Sequence, residues 1–354
     1  MRRARGLLAA LAAAWLLGAA PAPVALDALL SEAPAASLDA YRLFRDAGGL
    51  EPNAGVTPYA LNTPLFSDYA EKRRFVFVPP GARVGYRQSG AFDFPVGSVL
   101  VKTFAYPADL RRPAEKIRLV ETRLLIRKRE GWTALAYVWN AEQNRAVLKR
   151  AGARLSIEAT DRHGAPLTID YAVPNANQCK ECHSLDGELS PIGPKARNLN
   201  GDFAYPEGAE NQLAHWRRIG LLEGAPDASS ALRTARWDDE AEPLAARARA
   251  YLDANCGHCH NPAGIAGNSG LFLNLEEDRP SALGFGKRPV AAGRGSGGLE
   301  VSIAPGLPDQ SILVHRMASN EPGVMMPELG RSLVDEDGLA LIRAYVSSLP
   351  RADR

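Results

Sequence analysis

Two short stretches decide how this chain reads: Cys179-Lys180-Glu181-Cys182-His183 and Cys256-Gly257-His258-Cys259-His260. Both spell C-x-x-C-H, and together they use all 4 cysteines of a 354-residue chain. That pattern is the attachment signature of c-type haem, and its spacing has a chemical reason. Two thiols on one helical turn reach the two vinyl groups of a haem and form thioethers. The histidine that follows turns to the iron as the proximal ligand. The haem also brings apolar surface to a small domain that lacks a large core of its own. Cys179, Cys182, His183, Cys256, Cys259 and His260 are therefore expected to hold two covalently attached haem c groups, with His183 and His260 on the irons. Three other uses of the cysteines weigh less. A disulfide framework suits an exported chain but leaves two trailing histidines to coincidence. A four-cysteine zinc site usually spaces its pairs about 15–20 residues apart, whereas 73 residues separate Cys182 from Cys256. A thioredoxin-like redox pair lacks its βαβ setting.

The rest of the composition is that of a globular protein, 46% hydrophobic and 23% charged, which excludes a largely disordered chain and a multi-span membrane protein. The chain opens on Arg2, Arg3 and Arg5, continues through an apolar core from Leu7 to Leu17, and reaches the small-x-small pattern Ala20-Pro21-Ala22. This is the layout of a secretory signal. The expectation is export to the periplasm with cleavage near Ala22, ahead of an uncleaved anchor helix, and no stable transmembrane span after processing. The mature chain would be close to neutral, which gives no electrostatic reason to expect nucleic acid as a partner.

Three regions follow the signal (residues 1–22). Residues 41–174 hold runs rich in Val, Ile, Leu, Thr and aromatics at 74–78, 98–104, 117–127, 133–139, 153–159 and 166–172, separated by turn residues such as Pro79-Pro80-Gly81 and Arg162-His163-Gly164. Strands at this spacing suggest an antiparallel sandwich or barrel. Asp68, Glu71 and Glu121 read as solvated surface, and the region shows no catalytic constellation. Residues 175–237, the first haem c-binding region, carry one helix over 209–219 that stops at Gly220. Residues 240–350 open with a helix over 243–255, close with one over 336–348, and hold a short helix over 310–318 between them. The expected fold class is multidomain: a β-rich N-terminal domain (sandwich or barrel) followed by mostly α, cytochrome c-like haem domains.

The third region resembles a class I cytochrome c domain. A helix leads into Cys256–His260, a Met-Pro loop follows at Val324-Met325-Met326-Pro327, and a C-terminal helix carries Tyr345. The resemblance implies that His260 and Met326 are the axial pair, with Met325 as the alternative. Met317 sits at helical spacing from Leu313 and reads as core. No Gly-Pro follows this motif at the family's usual distance. The second region keeps one instead, Ile192-Gly193-Pro194, and in the family such a proline carbonyl accepts a hydrogen bond from the proximal histidine. No methionine lies between Met1 and Met317, so the first iron has no local Met. His215, beside Trp216, is the expected distal ligand, ahead of His163, His258 and His315. A His/His haem beside a His/Met haem would have unequal reduction potentials.

The whole chain is similar to a bacterial family that couples a β-rich N-terminal domain to two C-terminal haem sites. The likeness rests on Ala60-Leu61-Asn62-Thr63-Pro64-Leu65-Phe66-Ser67-Asp68, on Phe94-Pro95-Val96-Gly97-Ser98-Val99-Leu100-Val101-Lys102, and on Asn211-Gln212-Leu213-Ala214-His215-Trp216. The expected function is electron transfer through the two haems to a redox partner protein, in an exported di-haem c-type cytochrome. The rival is a di-haem peroxidase-type oxidoreductase with an open or displaceable sixth position on the first haem. A third reading has the β region binding a small molecule and feeding electrons to the haems, but no residue names a ligand.

Overall fold

In the computed structural model, which describes residues 22–291 and 293–351, a six-stranded antiparallel sheet is built from strands that alternate side chains between two covered faces. Strands β1 (Val56–Tyr59), β2 (Glu71–Phe77), β4 (Val99–Tyr106), β5 (Arg118–Lys128), β6 (Gly131–Trp139) and β7 (Ala146–Leu148) lie in that order. A two-residue strand, β3 (Val84–Gly85), precedes β4. The expected signal segment lies outside the described residues, apart from Ala22. Among the described residues no helix is long and apolar enough to cross a membrane.

One face of the sheet carries Phe75, Phe77, Val99, Val101, Leu124, Ile126 and Tyr137, covered by α1 (Leu26–Leu30) and by Leu38 and Tyr41. The other face carries two apolar pads. In one, Tyr59, Val76 and Leu100 meet Leu199 of α3 (Ala196–Leu199) and Leu213 and Trp216 of α4 (Gln212–Arg218). In the other, Phe104, Tyr106, Ala136 and Val138 meet Ile157, Ile169 and Tyr171 of a hairpin, β8 (Ala153–Thr160) and β9 (Pro166–Val173). Between the pads runs a row of cations, Arg74, Lys102 and Arg123, on neighbouring strands.

The expected fold class is corrected here. The chain does not divide into a β-rich N-terminal domain followed by mostly α haem domains. Among the described residues, strand outnumbers helix, 26% against 22%. The stretch around the first motif is itself laced with short strands: β10 (Ser184–Leu185), β11 (Glu188–Leu189), β12 (Asp202–Tyr205), β13 (Gly208–Asn211) and β14 (Leu222–Glu223). β14 pairs in parallel with β3, and α3 and α4 complete a core whose other half is the sheet. The physical reason is burial. Residues 196–222 are too few to enclose Leu199, Leu213 and Trp216 alone, so they take the sheet as their second wall.

Residues 60–70 stitch the parts together. Asn62 donates to the carbonyls of Asn200 and Thr234, both at 3.1 Å, and Thr63 Oγ1 donates to that of Ala235 at 2.7 Å. The Phe66 amide donates to Asn255 Oδ1 at 2.7 Å, one residue before Cys256. Asp68 accepts from the amides of Ser332 and Leu333 at 2.7 and 2.8 Å. The last core joins α5 (Leu244–Leu252), α6 (Ile312–Met317) and α7 (Glu336–Ser348). α5 and α7 approach so closely that a Cβ on Gly338 would sit 2.3 Å from the Tyr251 ring.

Candidate cofactor site at the two cysteine motifs

The first motif lies on α2 (Ala176–His183), whose start is fixed by a reciprocal capping box. Asn175 Oδ1 accepts from the amides of Asn177 and Gln178, and Gln178 Oε1 accepts from the Asn175 amide, all at 3.0 Å. Two orphan amides of a short helix are thereby satisfied. Cys179 and Cys182, three residues apart, share one side of this helix. It ends at His183, whose Nδ1 lies 3.0 Å from the Ser190 carbonyl oxygen. Ser190, on the return of the β10–β11 hairpin, thus takes the place that the cytochrome resemblance assigned to Pro194.

The second motif follows α5 through a π-helical turn at Asp253–Gly257. Such turns are frequent at functional sites. His260 Nδ1 lies 3.2 Å from the Leu271 carbonyl oxygen, so its ring is supported without a Gly-Pro. In both motifs Nδ1 faces a backbone carbonyl and Nε2 is left as the free nitrogen, the arrangement that orients a histidine toward a metal. Burial lowers the pKa of His183 to about 4 and also depresses that of His260, so both rings are held neutral, the form that ligates.

The fold brings the motifs together. Cys259 Sγ lies 3.9 Å from the Glu181 carbonyl. The Asp186 amide donates to the Ala263 carbonyl at 3.1 Å. All four thiols are free and half-buried. Among the described residues no three His, Cys, Asp or Glu side chains converge on one point. A zinc ion needs three or four protein ligands. A haem iron takes four nitrogens from its porphyrin and asks the protein for one or two. The donor set fits haem and does not fit a bare metal ion.

The expected sixth ligands are placed as follows. Met326 lies in the loop after α6, its amide donating to the Arg316 carbonyl at 3.0 Å and its own carbonyl accepting from Arg331 Nη2 at 2.9 Å. Arg331 also holds the carbonyls of Ser319 and Leu333, at 2.8 and 3.0 Å. Met317 is core, packed with Leu313. His215 is buried, stacked on the Tyr205 ring at 3.4 Å, with Nδ1 2.9 Å from Glu210 Oε2. Its partners among the described residues, Glu210, Arg218 and Tyr205, lie outside the first motif. Trp216 is committed to the core against Tyr59 and Phe92, not to a porphyrin face. His163 is exposed on the β8–β9 turn and His315 packs under Gly297.

Two residues read as solvated surface are buried instead. Asp68 is 3% exposed and Glu121 fully enclosed. Glu121 Oε1 accepts from Arg123 and, at 2.5 Å, from the Tyr171 hydroxyl, while Oε2 has no hydrogen-bond partner among the described residues. α2 and β11 pack against β6, the strand paired with β5, which carries Glu121 and Arg123. The sequence did carry a signal for burial of this face: alternation in β4 puts Lys102 on the same face as Leu100 and Phe104, two residues bound for apolar pads. A cleft of about 530 Å³ lies elsewhere, lined by Asn62, Asn200, Asn211 and Arg233 among others. Comparison with family models, curated proteins and solved structures finds no match for this chain.

Proposed function

We propose that the chain is an exported di-haem c-type cytochrome that passes electrons through two adjacent haems to a redox partner protein. The observation that carries this reading is the meeting of the two motifs, 77 residues apart in sequence and in contact in the fold. Haem supplies one-electron chemistry at its iron, with a potential set by axial ligands and burial. The protein's part is attachment and orientation. Cys179, Cys182, Cys256 and Cys259 form the thioethers. His183 and His260 present Nε2, their rings held by the Ser190 and Leu271 carbonyls. Met326, on a loop held by Arg331, would be the sixth ligand of the second haem. His215, held through Nδ1 by Glu210, presents only Nε2 as a distal ligand for the first. Contact between the motifs favours fast transfer from one site to the other. The basic start and apolar core of the sequence support export to the periplasm.

The test is the visible spectrum and intact mass of the full chain matured in a host that attaches haem c, reduced, with and without carbon monoxide. The expected result is a mass increase of two haems and a spectrum that carbon monoxide leaves unchanged. No covalent haem would overturn the reading. A second reading is the peroxidase type, with an open or displaceable sixth position on the first haem. Carbon monoxide binding by one haem would move that reading ahead.

A further inference from the structure

Asp68 and Tyr69, in the connection between β1 and β2, both have left-handed backbone, with φ of 48° and 62°. A non-glycine residue there is uncommon, and a bulky one such as Tyr69 is a genuine outlier. Such conformations persist only where the surroundings over-determine them, and they collect at functional sites. The surroundings here are specific. The buried Asp68 carboxylate accepts from the amides of Ser332 and Leu333, at 2.7 and 2.8 Å, and from Ser332 Oγ at 3.2 Å. The Tyr69 hydroxyl donates to the Val334 carbonyl at 3.1 Å and accepts from the Glu336 amide at 3.2 Å. Its ring stands edge-on to Phe66, with centroids 5.0 Å apart, and under the Arg162 guanidinium. These two side chains thus hold residues 332–334 and the first residue of α7.

What that segment is tied to gives the contacts a use. Arg331, next to Ser332 in the chain, is 8% exposed and donates through Nη2 to the Met326 carbonyl at 2.9 Å and through Nη1 to the Leu333 carbonyl at 3.0 Å. The Met326 loop and residues 331–334 are therefore one hydrogen-bonded unit, and the sheet holds it through Asp68 and Tyr69. The same connection also grips the thiol side. The Phe66 amide donates at 2.7 Å to Oδ1 of the buried Asn255, which precedes Cys256 and donates from Nδ2 to the Tyr251 carbonyl at 3.0 Å. The Tyr251 hydroxyl donates to Asp335 Oδ2 at 2.9 Å and closes the circuit. Residues 66–69 thus hold both the segment that carries the second thiol motif and the segment that carries the methionines. We propose that Asp68 and Tyr69 are positioning residues for the second haem: they hold the Met326 loop where its thioether can take the sixth position. This rests on the haem reading above, with Met326 as that ligand. The second site is then completed from the N-terminal sheet, across 264 residues of chain.

The full chain carrying both haems is compared with Asp68→Ala, Asp68→Asn, Tyr69→Phe and a control, Thr63→Val, which removes the bond to the Ala235 carbonyl away from both ligand segments. Intact mass counts the haems, and far-red charge-transfer absorption reports a thioether on iron, so failure of the haem reading shows in the parent before any variant is read. The variants are then followed by that absorption, by both midpoint potentials, and by amide hydrogen exchange over residues 324–335, a readout that does not pass through the haem. In Asp68→Ala the absorption should fade and one midpoint should fall, because a His/Met iron loses its methionine, while the other midpoint holds. Exchange over 324–335 should quicken about tenfold, as hydrogen bonds to a carboxylate are lost, and stay at the parent's rate over 196–222. Asp68→Asn keeps an acceptor oxygen and suits left-handed backbone, so it should fall between the two. Tyr69→Phe keeps the ring and should move every readout the same way by less; it decides alone should Asp68→Ala fail to mature. Thr63→Val should match the parent. Absorption and midpoints unmoved in Asp68→Ala and Tyr69→Phe would overturn the assignment, even with faster exchange. The same losses in Thr63→Val would make the connection a general join and overturn it as well. A parent with two haems and no far-red absorption would overturn it together with the Met326 assignment.

Discussion

At the scale of single residues, the site is built by groups that fix the ligands from behind. His183 and His260 are legible in C-x-x-C-H, but the carbonyls that orient them, Ser190 and Leu271, are 7 and 11 residues on and carry no side-chain signature. Backbone acceptors cannot be read from residue type. His215→Ala should vacate the sixth position of the first haem, so that the reduced variant binds carbon monoxide where the parent does not; an unchanged spectrum would remove His215 from the ligand set. Arg331→Gln should release the carbonyls that hold the Met326 loop. The expected cost is about 3 kcal/mol, since charged hydrogen bonds to buried carbonyls are lost. The far-red charge-transfer absorption of a thioether-ligated iron should fade with it, while the first haem keeps its spectrum.

At the scale of elements, caps and close approaches do what a small core cannot. α2 is eight residues long with no buried side chain, so its capping box is a large share of what holds the first motif in shape. Asn175→Ala should cost about 1 kcal/mol and lower the fraction of chain carrying a haem at Cys179 and Cys182, read by peptide mass. α5 and α7 touch where Gly338 lies under the Tyr251 ring, whose hydroxyl donates to the cap residue Asp335 at 2.9 Å. Gly338→Ala would drive a methyl into that ring. The expected loss is about 1–3 kcal/mol in denaturant unfolding, although alanine is the better helix former. Helix α7 was legible to the residue from its acidic start and apolar period. Helix α4 was expected over 209–219 and begins at Gln212, because residues 208–211 pair with 202–205 as a hairpin and Asn211 caps the helix.

At the scale of the whole molecule, buried polar contacts join regions that the sequence suggests are separate. Arg197 of α3 meets Asp253, just ahead of the second motif, through two hydrogen bonds at 3.1 Å. Burial alone would raise the Asp253 carboxyl, but Lys195, Arg197 and the Leu275 amide outweigh it and hold it below the ordinary 3.8. A carboxylate whose folded pKa is depressed adds stability above its unfolded value and loses it as pH falls through the folded one. Unfolding temperature should therefore drop as pH is lowered below about 4, and more steeply in the parent than in Asp253→Asn. At neutral pH that variant should cost about 1–3 kcal/mol, because Arg197 loses one of its two carboxylates and keeps Glu276. A loss near zero would mean that the Asp253 carboxylate does not help join the two regions.

Chemistry that depends on residue type at short spacing was fixed by the sequence itself: two thiol pairs, two histidines after them, the strand alternation, the last helix, and the lack of a methionine near the first motif. Each follows from local covalent spacing or from the period of a strand or helix. The tertiary structure alone decided what lies between distant residues. It placed the two motifs in contact, buried Asp68 and Glu121, gave α3 and α4 the sheet as their second wall, and lined up Arg74, Lys102 and Arg123. These depend on strand order and on which surfaces must be shared to complete a core, and neither is written in any short stretch of the chain.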